Sequence, residues 1–190
     1  ADKRCKVLAG TGSNSTRETI SLTHAAERVG ADGALLVCPY YNKPPQEGLH
    51  RHFAAIAEAT DLPLVLYSIP GRCVIEIAAE TVGRLARDCA NIVGIKEAGG
   101  KVGRVSELKA ACPEGFTILS GDDVMTIPFM RAGAEGVISV ASNLIPAEVA
   151  RLVRLERDGH RAEADALNAM LAPLFRDLFL ETNPIPIKTA

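Results

Sequence analysis

The sequence predicts an α/β fold built on a parallel sheet, and three observations predict it. Six short, near-continuous apolar runs lie at residues 6–9, 33–39, 63–68, 92–96, 117–120 and 136–140. Amphipathic segments lie between them, at 16–29, 46–59, 79–89, 102–111 and 124–132. The runs recur roughly every 25–30 residues, the length of a βα unit. Strands buried on both faces read as apolar runs, and parallel neighbours need helical crossovers. Six such units are a quarter short of a (β/α)8 barrel, which typically takes about 250 residues. A doubly wound open sheet also accommodates six strands.

Each element has its own signal. The first run leads into "AGTGSNST", residues 9–16. It has G-x-G but lacks the third glycine of a dinucleotide loop. A tight turn with Ser13, Asn14 or Ser15 as helix cap explains it as well. The second run ends near Tyr40 and Tyr41, the third at Tyr67 in "YSIPGR", the fourth at Lys96, and the fifth in "SGDD", residues 120–123. Asp122 or Asp123 is expected to cap the following helix. After the sixth run two helices, 146–158 and 160–180, follow with no strand between them, and Pro184 and Pro186 break the pattern. The expected organisation is a barrel-like region over 1–145 and a helical segment over 146–190.

Composition narrows the function. A chain of 190 residues suits one domain with a sizeable core. The net charge of -2 and the 4% aromatic content give no reason to expect nucleic acid or an anionic membrane as partner. No apolar stretch is long enough to span a bilayer, and no charged-then-apolar leader is seen. Five cysteines with no C-x-x-C pair argue against disulfides and zinc and suit a cytoplasmic setting. The four histidines are scattered and read as solvated surface residues, and no metal site is expected.

The chemistry-bearing residues share one address. In parallel α/β folds ligands bind at the carboxyl ends of the strands. Lys96 and Tyr67 end successive strands, which lie about 4.8 Å apart, so the two can meet. Arg72 follows in the next turn. Taken singly, Lys96 reads as a snorkelling lysine, Tyr67 as core filler and Arg72 as a loop charge. Together they suit covalent amine catalysis. A lysine attacks a carbonyl only as the free base, and desolvation favours that form; the apolar residues Ile92, Val93 and Ile95 are the expected wall. A tyrosine moves protons, and an arginine holds a carboxylate through two hydrogen bonds. Glu97 points to the opposite face from Lys96 and reads as structural.

At these residues the sequence resembles the dihydrodipicolinate synthases. The matching stretches are "AGTGSNST", "PYYNKPPQEGL", "LYSIPGR", "GIKEAGG", "LSGDD", "GVISVASN" and "NPIPIK", in family order over essentially the whole chain. The resemblance implies a (β/α)8 barrel, here incomplete: about six βα units, the family's strands 3–8, plus C-terminal helices. It implies condensation of pyruvate with L-aspartate 4-semialdehyde on the way to lysine and diaminopimelate, with no cofactor beyond the covalent imine. Lys96 would form the Schiff base, Tyr67 would relay protons, and Tyr41 would complete the relay of a neighbouring subunit. Arg72 would receive the semialdehyde, while Gly121 and Ile138 would contribute backbone around pyruvate. Asn14, Glu18 and Tyr40 match part of an allosteric lysine site. The assembly implied is a homotetramer, a dimer of dimers.

The resemblance also has departures. The family chain begins earlier, with two more strands and a pair of threonines, one of them in the proton relay, and it continues past "NPIPIK". The 190 residues therefore read as a fragment. Cys73 stands where a threonine is common. Two other functions compete: a sister lyase or dehydratase such as an N-acetylneuraminate lyase, and an inactive remnant that only assembles with a partner. Arg72 in "IPGR" favours the semialdehyde enzyme over the sister lyases.

Overall fold

A computed structural model describes residues 4–190, so the first three residues of the 1–145 region lie outside it. The chain forms two compact units, one up to Ile118 and the other Leu119–Ala190.

The first unit holds β1 (Leu8–Gly10), α1 (Thr16–Arg28), β2 (Gly33–Val37), α2 (Gln46–Glu58), β3 (Leu64–Ser68), α3 (Pro70–Cys73), α4 (Ala79–Asp88), β4 (Ile92–Glu97) and α5 (Gly103–Ala111). Strands β1 to β4 pair in parallel with their chain neighbours. Helices α1, α2, α4 and α5 touch one another in succession, with α1 against β2 and α4 against β4. They form one layer over one face of the sheet. Ala34, Leu36, Leu64, Leu66 and Ile95 point into that layer and are 0% exposed. The alternate residues Val37, Val65, Tyr67 and Lys96 are only half-buried. A doubly wound sheet would carry helices on both faces and reverse its strand order. This unit does neither, and the arrangement is that of βα units in a (β/α)8 barrel.

The sequence placed most elements within a few residues, and the exceptions have physical causes. The side chain of Ser15 accepts the Glu18 N–H and caps α1. Residues 6 and 7 are not in β1, because the Asp32 carboxylate takes the Val7 N–H and the Lys6 ammonium, each at 2.8 Å. Strand β2 stops at Val37, short of Pro39, which has no N–H to continue a ladder. Tyr40 and Tyr41 therefore sit in a loop beyond the strand. The "IPGR" turn is itself the short helix α3, with Pro70 in its first turn.

The histidine expectation fails at two positions. His50 and His52 are 9% and 7% exposed. His50 Nε2 lies 3.0 Å from Asp88, and His52 Nδ1 lies 2.9 Å from the Thr16 hydroxyl. Residues two apart on a helix lie about 200° apart, so His50 faces Asp88 of α4 and His52 faces Thr16 of α1, the two helices packed against α2. Burial lowers the His52 pKa to about 4, so its ring is neutral.

The second unit contains α6 (Thr126–Ala132), β6 (Gly136–Val137), a 3₁₀ turn (Ala141–Asn143), α7 (Pro146–Arg157), α8 (Arg161–Asp177) and α9 (Ile185–Thr189). Strand β5 (Thr117–Ser120) runs into it, and its Leu119 and Ser120 pair in parallel with Gly136 and Val137. A core of Ile127, Ala141, Leu152, Ala164, Leu171 and Phe175 joins α6, α7 and α8. Strand β6 ends sooner than expected, and Asp123 is the reason. Its Oδ2 accepts the N–H groups of Val140 and Ala141, both at 3.0 Å. Asp123 thus caps the 3₁₀ turn and not α6, while Asp122 Oδ1 takes the Val124 N–H. A short helix, α9, forms around Pro186, since proline is tolerated in a first helical turn.

Candidate active site

The site is built on β3 and β4. Their register begins with Leu64 opposite Ile92 and continues with Val65 opposite Gly94, so Val93 is an extra residue. This bulge decides which side chains meet. Unbulged pairing from Leu64 would set Lys96 opposite Ser68, on the face that packs against the helices. With the bulge, Tyr67 pairs with Lys96 and Ser68 with Glu97. Lys96 Nζ stands 4.0 Å from the centre of the Tyr67 ring. Gly94 belongs to this device: a Cβ there would meet the Thr117 carbonyl oxygen at 2.7 Å.

The wall expected around the amine is different. Ile92 and Ile95 are 2% and 0% exposed, but Ile95 points to the opposite face from Lys96. The half-buried neighbours on Lys96's own face are Tyr67, Val65 and Val37. Burial pushes the Tyr67 phenol above its usual pKa, the charge of Arg72 pulls it back in part, and the Cys73 thiol adds to the rise. Tyr67 is thus a protonated phenol at neutral pH, in the form that can donate a proton.

Arg72 lies on α3, and its side chain is exposed. Helix α3 is anchored by its next residue. Cys73 is 1% exposed, and its thiol donates to the Cys38 carbonyl at 3.1 Å, a bond a threonine hydroxyl can also make. Cys38 in turn donates its N–H to the Tyr67 carbonyl at 2.8 Å. The Cys38 thiol, buried near Cys73, is pushed up to about 12. Val74, which ends α3, holds φ at 70°, a costly conformation for a β-branched residue. Arg72 is therefore carried by a rigid element.

The remaining predicted residues fall in three places. Tyr41 is 86% exposed with φ at 72°, and Tyr40 is 40% exposed beside it. Asn14 donates its side-chain amide to the Tyr40 carbonyl at 3.3 Å, and Asn42 donates to the Asn14 carbonyl at 3.1 Å. Glu18, one turn into α1, accepts the Ser13 hydroxyl. Asn14, Glu18 and Tyr40 thus form one neighbourhood. Gly121 and Ile138 belong to the second unit. Gly121 follows β5, and the Ile138 N–H donates to the Ser120 carbonyl at 2.9 Å. Among the described residues no cluster of His, Cys, Asp or Glu is placed to hold a metal ion, and no helix is long and apolar enough to cross a membrane.

Sequence reasoning missed the bulge at Val93 and Gly94. A glycine inside an apolar strand run was the available signal. It also missed Arg104, which is 5% exposed on α5 and reaches Glu97. A buried arginine leaves no mark on helical periodicity when its partners are distant in the chain.

The Dihydrodipicolinate synthetase family profile matches residues 1–190. The 4-hydroxy-tetrahydrodipicolinate synthase of Persephonella marina is 53% identical over 190 residues, covering 100% of this chain and 65% of that protein. The chain therefore spans less than two thirds of that relative. The structure of the 4-hydroxy-tetrahydrodipicolinate synthase from Methylacidiphilum fumariolicum SolV superimposes with a TM-score of 0.98 at 61% identity, over 99% of this chain and 63% of that one. A chloride-inhibited dihydrodipicolinate synthase from Acinetobacter baumannii, complexed with pyruvate, gives a TM-score of 0.95 at 48% identity, over 99% of this chain and 64% of that one. With a profile match along its whole length, this chain is a member of the dihydrodipicolinate synthetase family.

Proposed function

We propose that the whole protein condenses pyruvate with L-aspartate 4-semialdehyde through an imine on Lys96, and that this chain supplies the amine, the phenol and the carboxylate clamp. The observation that carries the reading is the Tyr67–Lys96 pair, aligned in register with Nζ 4.0 Å over the ring. In this reading the amine of Lys96, in its unprotonated form, attacks the ketone carbon of pyruvate. The carbinolamine then loses water as the imine forms. Loss of a methyl proton gives an enamine, whose carbon attacks the aldehyde, and hydrolysis returns the amine. Tyr67 gives a proton to the departing hydroxyl and recovers one later, a role that suits a phenol kept neutral by burial. Arg72, exposed on α3, pairs with the carboxylate of the semialdehyde. Gly121 and Ile138 offer backbone groups to pyruvate.

The same reading gives Tyr41 a partner subunit: an exposed aromatic residue in a left-handed backbone suits a contact made by assembly into a tetramer. It gives the neighbourhood of Asn14, Glu18 and Tyr40 to regulatory L-lysine. The setting is cytoplasmic. No metal or organic cofactor enters the scheme.

The test is trapping. The full-length protein is incubated with pyruvate and borohydride, digested, and the adduct located by mass. A reduced pyruvyl adduct on Lys96 is expected. An adduct on Lys43 or Lys188, or none, overturns the reading. A sister lyase would trap pyruvate equally, but it would not show a selective rise in the KM for semialdehyde when Arg72 is replaced by alanine.

A further inference from the structure

We propose that Arg104 is a positioning residue, one that fixes the stretch running on from helix α3, the helix that carries Arg72, relative to Lys96 and so sets the recognition of the second, carboxylate-bearing substrate. The inference rests on the reading of Lys96 and Arg72 given above. Arg104 is on α5 and is 5% exposed. Its guanidinium touches two chain segments that the chemistry needs held together. One is the end of β4: Arg104 Nε lies 3.5 Å from Glu97 Oε2, and Glu97 is the residue after Lys96. The other is the stretch that leads from α3 to α4, a few residues after Arg72. There Arg104 Nη2 donates to the Ile77 carbonyl, and Nε lies 3.9 Å from Glu76 Oε1.

Two further observations show that this meeting point is built. The same stretch is held from its other side by Gln46, whose amide donates to the Glu76 carbonyl at 2.9 Å. The Gln46 oxygen accepts from Ala78 N–H at 2.9 Å and the Thr81 hydroxyl at 2.8 Å. Gly99 lies where the segments converge. A Cβ at Gly99 would stand 2.7 Å from Glu97 Oε1, 3.2 Å from Glu76 Oε1 and 3.6 Å from Pro70 Cγ. The Glu97 oxygen is held by the Gly99 N–H itself at 2.7 Å, so it cannot swing away freely.

Stability is a poor explanation for the pair. Glu97 is 0% exposed, and neither its Oε2 nor Arg104 Nε has a hydrogen-bond partner among the described residues. Burying two charges without full hydrogen bonding returns less than an apolar pair of the same size. Burial holds the Glu97 carboxyl above its ordinary pKa even though Gly99 and Arg104 oppose it. What the pair does provide is a fixed distance. Glu97 follows Lys96 on the same strand, and Ile77 lies in the stretch that follows the helix carrying Arg72. A clamp between them sets how far the clamped carboxylate stands from the imine carbon.

The experiment uses the full-length protein and three variants: Arg104→Met, Arg104→Lys and Gly99→Ala. Three quantities are read: pyruvate trapped on Lys96 by borohydride, KM for the semialdehyde, and thermal midpoint. A misplacement of about 1 Å carries penalties on the order of 10²-fold. Arg104→Met is expected to raise the semialdehyde KM by about 10-fold or more, with trapping within about 2-fold of the parent. Arg104→Lys keeps the charge beside Glu97, loses the fork to Ile77, and should recover only part of the KM. Gly99→Ala wedges the same junction and should reproduce the selective rise, which keeps the test open if Arg104→Met does not fold. A semialdehyde KM unchanged in the folded variants overturns the proposal, as does an equal loss in trapping and KM, which a merely structural arginine would give. If the parent itself traps no pyruvate on Lys96, the functional reading fails first and this inference fails with it.

Discussion

The two faces of the sheet in the first unit differ by one residue step along the same strands and are buried to different degrees. On the helix side, Ala34, Leu36, Leu64, Leu66 and Ile95 are 0% exposed. On the other side, Val37, Val65, Tyr67 and Lys96 are half-buried. The first face carries the apolar burial that holds helices to sheet, worth roughly 25 cal/mol for each Å² removed from water. The second carries an amine against an aromatic ring at a strand end. At the last pair of β3 and β4 the helix side turns polar as well, with Ser68 and Glu97, both 0% exposed. The lesson is that the pleat separates the face that packs the helices from the face on which the proposed chemistry would sit, and the bulge at Val93 is the point where that separation is set.

The largest effect is expected at the tyrosine. Tyr67→Phe keeps the ring beside Lys96 and removes only the phenol proton. Condensation in the full-length protein should fall by roughly 10²–10⁴-fold, the range for a lost general acid. The unfolding midpoint in urea should hardly move. A variant that loses activity and stability together would show that the open face is structural after all.

Leu66→Ala, one residue earlier and on the opposite face, should do the reverse. It leaves a cavity under the helix layer and should cost about 2–5 kcal/mol in chemical denaturation. In whatever fraction stays folded, pyruvate trapping on Lys96 should remain near the parent's value. Matching losses of trapping per folded molecule would erase the distinction between the faces.

The helix layer should also show its dryness through pH. His52 is 7% exposed, and burial lowers its pKa to about 4. A histidine with a depressed folded-state pKa is neutral in the fold while the unfolded chain takes up the proton. Its contribution is complete above about pH 6.5 and is lost as pH falls through about 4. The shift corresponds to about 3 kcal/mol. The parent should lose about that much more stability than His52→Gln between these pH values. Parallel stability curves for the two proteins would place His52 in water.

The smallest effect should be at the bulge itself. Gly94→Ala drives a Cβ toward the Thr117 carbonyl, and overpacking of this kind costs about 1–3 kcal/mol. Because the bulge sets which face Lys96 occupies, trapping should fall further than stability alone explains. A variant that is destabilised but traps pyruvate normally per folded molecule would mean that the register survives without glycine.

Much of this protein was legible in its sequence. Apolar runs and helical periodicity located the strands and most helices, because both depend on which face of a short segment meets a core. The placing of Lys96, Tyr67 and Arg72 at strand ends was equally local: each lies within a few residues of a run's end. Only the tertiary structure decided what those ends face. The Val93 bulge depends on how β4 meets β3 and how closely Gly94 approaches Thr117, and a lone glycine reads alike for a bulge or a weak strand. Asp123 reads as the cap of the next helix, yet it caps a turn 17 and 18 residues on. His50 and His52 look solvated until Asp88 and Thr16, far along the chain, close over them. Arg104 shows the same limit, since its partners Glu76, Ile77 and Glu97 lie on other elements. Periodicity records the side of its own segment that a residue occupies. It does not record which distant group comes to meet that residue, and both the register and the buried charges here depend on that meeting.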